Sequence, residues 1–264
     1  MALAEDVGSG DLTASLVPDV HVSASVLCRQ RAVICGTALF DEVFSQVDKN
    51  TAISWRIADG AQVERNQILC TIKGAARAIL TAERAALNLL QTLSGTATTT
   101  REYVDAIAHT TTRIVDTRKT LPGLRLAQKY AVRCGGGHNH RLGLYDGILI
   151  KENHLRSGVP LAQIVSDALN RIPASGLVEV EVTNIDELKQ ALTAGAPRIL
   201  LDNFSTDDIN LAVTLNAGQA ELEASGGIEI ENVKIVAETG VDLISIGALT
   251  KDLKAVDLSL LVEL

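Results

Sequence analysis

From about residue 112 onward, six β-rich runs alternate with helical patterns, and this rhythm narrows the fold more than any other feature of the chain. The β runs are TRIVDT, DGILIK, LVEVEV, RILLDN, ELEASGG and DLISIG. Between them lie LRLAQKYAV, LAQIVSDALNRI, IDELKQALTAG, TDDINLAVTLN and NVKIVAETG, with apolar residues at helical spacing. Strand and helix alternating in this way imply a parallel sheet, closed or partly closed into a barrel. Composition agrees: 47% of residues are hydrophobic and only 3% aromatic, so the core is Ala, Val, Leu and Ile. That is the usual filling of parallel strands covered by helices. A length of 264 residues accommodates a barrel plus a small second domain.

The first part of the chain has a different character. HVSASVLCRQRAVICG holds two short β-type runs, and AISWRIADGAQVERNQILCTIKG reads as strand, Asp-Gly turn, strand. Residues 81–110 carry apolar positions at helical spacing, with an expected weak point at Ser94-Gly95. The expected division is an N-terminal domain over 1–95, joined by the tail 251–264, and a barrel over 96–250. Cysteines 28, 35, 70 and 134 form no C-x-x-C pair and sit in apolar runs, which reads as buried thiols in a reducing compartment. The start, MALAEDVGSGD, has acids where a signal peptide needs positive charge, and no apolar run approaches a membrane span. A soluble, cytoplasmic protein is expected. A net charge of -8 and the scarcity of aromatic residues argue against general nucleic-acid binding.

Against that acidic whole, residues 113–141 carry seven Arg or Lys and one acid, Asp116, a local charge of +6. The segment ends in RCGGGHNHR (133–141), where glycines, two histidines and arginines suggest phosphate, metal and carboxylate chemistry respectively. If extended, His138 and His140 share a face, but a zinc site needs a third ligand. His154 is available, and no Cys or acid cluster in the sequence completes a set. Arginine forks bind planar carboxylates bidentately, so an anion pocket around His140 and Arg141 is the favoured reading.

The strand ends point the same way. The six runs close on Asp116-Thr117-Arg118-Lys119, Lys151-Glu152-Asn153-His154, Glu179-Val180-Glu181, Asp202-Asn203, Ser225-Gly226-Gly227 and Gly247-Ala248. In a β/α barrel these carboxyl ends converge on one mouth, where catalysis takes place. Any one charged residue past a strand is most often a solvated loop residue; six strand ends in succession are harder to dismiss. Glycine turns after the last two strands stand where barrels bind phosphate on backbone N–H groups.

Together EDVGSGDLT, AERAALNLLQTLSGTAT, the block from Asp116 to His154, EVEV, LLDN, ASGGI and GVDLISIGALT resemble the quinolinate phosphoribosyltransferase family, in order and over nearly the whole chain. The resemblance implies an N-terminal α/β sandwich, an open β/α barrel of the type II phosphoribosyltransferase kind, and a homodimer. It implies that Arg118, His140, Arg141 and Lys151 bind the dicarboxylate, with Arg84 reaching in from the neighbouring subunit. It further implies that Thr117 and Lys119 meet the phosphoribosyl substrate, that Glu181 and Asp202 face the ribose hydroxyls and magnesium, and that Ser225, Gly226, Gly227, Ile246, Gly247 and Ala248 form the 5′-phosphate loops. Lys119, Lys151, Glu181 and Asp202 are the expected catalytic group. Family members carry a longer leading segment than the four residues ahead of EDVGSGD here.

The implied reaction joins quinolinate to phosphoribosyl pyrophosphate, giving nicotinate mononucleotide, pyrophosphate and CO2. Negative charge on Glu181 and Asp202 steadies an oxocarbenium-like ribose C1, and the new pyridinium makes loss of the adjacent carboxylate feasible. A Schiff-base barrel aldolase using Lys151 is a rival reading, but it leaves Arg84, Arg118 and Arg141 unexplained. A binding homologue without turnover and a sister transferase acting on another pyridine acid remain open at this level.

Overall fold

The computed structural model describes residues 1–151, 158–172 and 176–263. These divide into two compact units: residues 1–99, 133–136 and 253–264 form one, and 100–132 with 137–252 the other. Glu152, Asn153 and His154 lie outside the described residues.

In the first unit β1 (His21–Cys28) pairs antiparallel with β5 (Ile68–Ala75), which also pairs with β3 (Ala52–Trp55). β2 (Ala32–Val33) and β4 (Gln62–Val63) form a small separate ladder. The tail strand β12 (Leu258–Glu263) completes the larger sheet on the free side of β1, giving the order β12-β1-β5-β3. The Asp-Gly turn expected within 52–74 is present, with Gly60 at φ +87°. Asp59 does more than turn the chain: its Oδ1 accepts the N–H groups of Gly36 and Thr37, both at 3.1 Å, capping the start of α2 (Thr37–Val47). A short first helix, α1 (Ala2–Val7), precedes the sheet. Val26, Phe40, Phe44, Ile72, Leu87 and Leu90 are among the core residues between sheet and helices.

The weak point expected at Ser94-Gly95 does not exist. α3 runs unbroken from Ala76 to Ala106. A Cβ on Gly95 would lie 2.3 Å from the Lys254 carbonyl oxygen, so the glycine is there to let the tail backbone approach. Ser94 uses its hydroxyl on the backbone of Cys35, at 3.0 Å from its N–H. Cys35 also comes within ligand distance of Asp59 and Cys134, a meeting the sequence spacing did not foretell; the hydrogen bond with the Cys134 thiol, and then burial, push the Cys35 pKa up.

The second unit carries the parallel sheet. β6 (Arg113–Val115) stands at one end; after α4 (Arg125–Cys134) the chain crosses to β7 (Gly147–Ile150) at the other. It then returns strand by strand through β8 (Leu177–Val182), β9 (Arg198–Asp202), β10 (Glu221–Ser225) and β11 (Leu243–Ser245). The order β6-β11-β10-β9-β8-β7 leaves β6 and β7 unpaired with each other among the described residues, an open barrel. The connecting helices are α5 (Leu161–Arg171), α6 (Ile185–Thr193), α7 (Thr206–Asn216), α8 (Val233–Ala237) and α9 (Ala248–Lys251). Asn184 and Ser205 cap α6 and α7 by accepting the N–H groups of Glu187 and Asp208. Acids in both first turns complement the helix dipole.

Two-residue alternation decides which side chains meet. Val178, Val180, Val182, Ile199, Leu201, Leu222, Ala224 and Ile244 face outward and pack under the helices. Their neighbours Glu179, Glu181, Arg198, Leu200, Asp202, Glu221, Glu223 and Ser225 therefore face inward, and the strand register sets them beside one another. No helix among the described residues is long and apolar enough to cross a membrane.

Candidate active site

A cavity of about 650 Å³ opens at the carboxyl ends of these strands. Thr117, Arg118 and Lys119 line it after β6, Lys151 after β7, Glu181 on β8, and Asp202 with Asn203 at the end of β9. Ser225, Gly226, Gly227, Ile228 and Glu229 follow β10; Ser245, Gly247, Ala248, Lys251 and Asp252 follow or close β11. His140, Arg141, Leu149, Leu200 and Glu223 form the rest of the wall. Of the barrel residues that the resemblance assigns to substrate or magnesium, Ile246 alone is absent from this lining. It is buried in the core, and its backbone N–H continues the ladder to Val115. Arg84 belongs to the first unit, on α3, half-exposed, with the Glu83 carboxylate 3.8 Å away.

The cationic block from 113 to 141 is not one patch. Lys129 is buried in an ion pair with Asp116, Arg113 pairs with Glu221, and Arg133 falls in the other unit. Arg125 donates to the Arg118 and Leu142 carbonyls, tying two loops together. Of the seven, Arg118, Lys119 and Arg141 line the cavity. Burial lowers the Arg141 pKa, and the positive charge of Arg118 adds to the effect. Arg118 Nε is buried without a hydrogen-bond partner among the described residues. Two guanidiniums lining one cavity, one of them with a buried donor unpaired among the described residues, are arranged for an anion.

Asp116 is the keystone of the HNHR segment. Its carboxylate accepts from Lys129, from Asn139 Nδ2 at 2.6 Å and from the His140 N–H at 2.9 Å, while Lys129 also donates to the His140 carbonyl at 2.9 Å. His138 instead forms an isolated bridge to Val115 and leaves its side chain exposed. The two histidines thus do not share one face, which corrects the expectation from H-x-H. His140 turns inward, where Glu179 and Glu223 complete a group of three possible metal ligands. The sequence reading named Glu179 only as part of a strand end and passed over Glu223, and it joined neither to His140; their signal was the same-face spacing of Glu179 with Glu181 and of Glu223 with Ser225.

On the opposite wall Lys151 is ion-paired with Glu181, and Asn203 Nδ2 donates to Asp202 at 3.0 Å. Asn203 adopts φ +57°, and a Cβ on Gly226 would lie 2.1 Å from its Oδ1. Gly226 itself is at φ +94°. Gly247 leaves room for Lys119, whose Cδ would be 3.3 Å from an added Cβ. Gly226→Ala is therefore expected to cost roughly 2–3 kcal/mol of stability from strain plus clash. Gly227→Ala, at φ +59° with open space around it, should cost about 1 kcal/mol. Denaturant unfolding of both variants checks the order; equal losses would rule out the Asn203 contact as the cause.

An open β/α barrel with a cation-lined mouth, two carboxylates and two glycine turns defines an enzyme that handles polyanionic small molecules. The chain belongs to the quinolinate phosphoribosyltransferase family. Residues 11–94 match the model of its N-terminal domain and 96–261 that of its C-terminal domain. The nicotinate-nucleotide pyrophosphorylase (carboxylating) of Mycobacterium leprae is 44% identical over 98% of this chain and 94% of its own length. A probable nicotinate-nucleotide pyrophosphorylase (carboxylating) from Bacillus subtilis is 39% identical over 98% and 90%. The solved structure of the Francisella tularensis nicotinate-nucleotide pyrophosphorylase superposes with a TM-score of 0.97, at 50% identity, covering 99% of this chain and 93% of that one.

Proposed function

We infer that this chain transfers the phosphoribosyl group of phosphoribosyl pyrophosphate to quinolinate with loss of one carboxylate as CO2, yielding nicotinate mononucleotide and pyrophosphate for NAD biosynthesis. The observation that carries this is a single cavity in which Arg118, Lys119, Arg141 and Lys151 share walls with Glu181, Asp202 and the glycine turns. Both substrates are polyanions, and the paired guanidiniums match planar carboxylates. We assign Arg118 and Arg141 to the dicarboxylate, Lys119 to the phosphoribosyl substrate, and the 225–227 and 247–248 turns to its 5′-phosphate. Glu181 and Asp202 are assigned to the ribose face, where their charge favours the cation that develops at C1. Lys151, ion-paired with Glu181 and half-exposed, is unlike the desolvated amine that a Schiff base needs. Incubation with quinolinate, nicotinate and related acids, following CO2 and mononucleotide, tests the reading; turnover of a monocarboxylate alone would replace it with the sister activity.

Magnesium fits this donor set. Glu181 and Asp202 offer hard oxygens but too few for a closed cage, the pattern of an ion held largely by substrate phosphates. When bound, it would neutralise the pyrophosphate as that group departs. Turnover is expected to vanish under exhaustive chelation, and equilibrium dialysis should find no tightly bound magnesium on the free protein. Full activity with chelator still present would contradict the assignment. A homodimer that shares Arg84 across its interface and a cytoplasmic location complete the proposal; the latter is supported by the four free cysteines.

A further inference from the structure

Both ring nitrogens of His140 are committed within the protein. Nδ1 accepts the backbone N–H of Arg141 at 2.8 Å; Nε2 lies 2.8 Å from Glu179 Oε2 and 3.5 Å from Glu223 Oε2. A nitrogen that accepts a hydrogen bond carries no proton, so the proton sits on Nε2 and is donated to Glu179. The ring is neutral, in line with burial lowering its pKa. The backbone of residue 140 is already clamped by Asp116 and Lys129. The ring is what then links this clamp to the next residue.

The two acids behind the ring are costly. Both are buried, and Glu179 Oε1 and both Glu223 oxygens have no hydrogen-bond partner among the described residues. Each buried polar atom left unpaired is unfavourable. Stability alone would favour apolar residues at these inward positions, such as Leu200, which pairs in register with Glu223 on the neighbouring strand. A second metal is a poor occupant, because Arg141, Arg198 and Lys129 already impose positive charge on His140. Burial raises the Glu179 pKa to about 7 and the Glu223 pKa to about 8, and the Glu179 charge contributes to the latter. The geometry selects the acceptor, because His140 Nε2 lies 2.8 Å from Glu179 and 3.5 Å from Glu223. Arg141 Nη1 is tied to the Gly147 carbonyl at 3.0 Å, so the remaining guanidinium donors depend on where the side chain leaves the backbone.

We propose that Glu179 and Glu223 are positioning residues for the dicarboxylate grip: they hold His140 in the tautomer whose bare Nδ1 receives the Arg141 N–H, and thereby aim Arg141. This rests on the assignment of Arg141 to a substrate carboxylate. Glu179→Gln keeps an acceptor for Nε2–H, whereas Glu179→Met removes it at similar volume. The KM for quinolinate should rise roughly tenfold in Glu179→Met and stay within about threefold in Glu179→Gln. The KM for phosphoribosyl pyrophosphate should move by less than about twofold in both. Nitrogen-15 spectra of labelled histidine should show the neutral Nε2–H form of His140 in wild type and Glu179→Gln, and its loss in Glu179→Met. Glu179→Met also leaves the buried His140 Nε2–H without its acceptor, so its unfolding midpoint should fall below that of Glu179→Gln, whereas Glu223→Met, which removes a carboxyl with no hydrogen-bond partner among the described residues, should not lower it. Glu223→Met is the second variant, with the same selective effect on quinolinate. An unchanged His140 tautomer in Glu179→Met, equal KM shifts for both substrates, or a Gln variant as impaired as Met would overturn the proposal. An Arg141→Ala protein that binds quinolinate normally would overturn the underlying assignment, while the histidine spectra would still report whether Glu179 sets the tautomer.

Discussion

Arg118→Ala and Arg141→Ala are each expected to weaken quinolinate binding by roughly 2–5 kcal/mol, about 30-fold to several thousand-fold, while phosphoribosyl pyrophosphate binding changes far less. The size follows from the site. Arg118 has a buried Nε with no partner among the described residues, and Arg141 is partly buried beside a like charge. A carboxylate entering between them would satisfy both at once, and removing either fork leaves the other charge and the ligand poorly compensated. The same geometry makes a second readout. In the free protein the two guanidiniums repel, so Arg118→Ala should leave the unliganded fold as stable as before, or more so. Isothermal titration with each substrate, beside thermal unfolding without ligand, checks both halves. Equal losses for the two substrates would sink the assignment of these residues to the dicarboxylate.

The barrel was readable because its strands announce themselves twice, by apolar runs and by polar residues at their ends. LVEVEV illustrates both the success and the limit. Its alternation predicts a strand with Glu179 and Glu181 on one face, yet the acid in the mouth and the acid beneath it look identical in one dimension. Only the register against β9 and the inward turn of His140 separate them. The cationic block was read as one pocket because charge adds along a sequence. Folding disperses it, since Lys129 sits on a helix facing Asp116 and Arg113 begins its strand at the end away from the mouth. Ser94-Gly95 misled for a related reason. Helix propensity counts glycine as a cost, but at residue 95 the tail backbone packs where any side chain would stand. Ile246 was carried along with its neighbours in a motif, and alternation sends its side chain to the opposite face.

Arg84→Ala and Arg118→Ala homodimers should each be nearly inactive, and mixing them should restore about a quarter of wild-type activity. Arg84 lies on the long α3 helix, half-exposed, with the partly buried Glu83 carboxylate at 3.8 Å as its ion-pair partner. A long pair on a half-exposed arginine contributes little to stability, so the ion pair given for it among the described residues does not by itself explain an arginine there. If the residue completes the partner's carboxylate grip, a mixed dimer combines one chain with an intact barrel and no Arg84 with another that supplies Arg84 to it. That dimer holds one complete site out of two. Random exchange of equal amounts makes half of all dimers mixed, hence about a quarter of the activity, as a closed two-fold arrangement requires. Were Arg84 to act within its own chain, every chain in the mixture would still lack one of the two arginines. No recovery, once exchange has been verified by mass, would mean that the site is not shared.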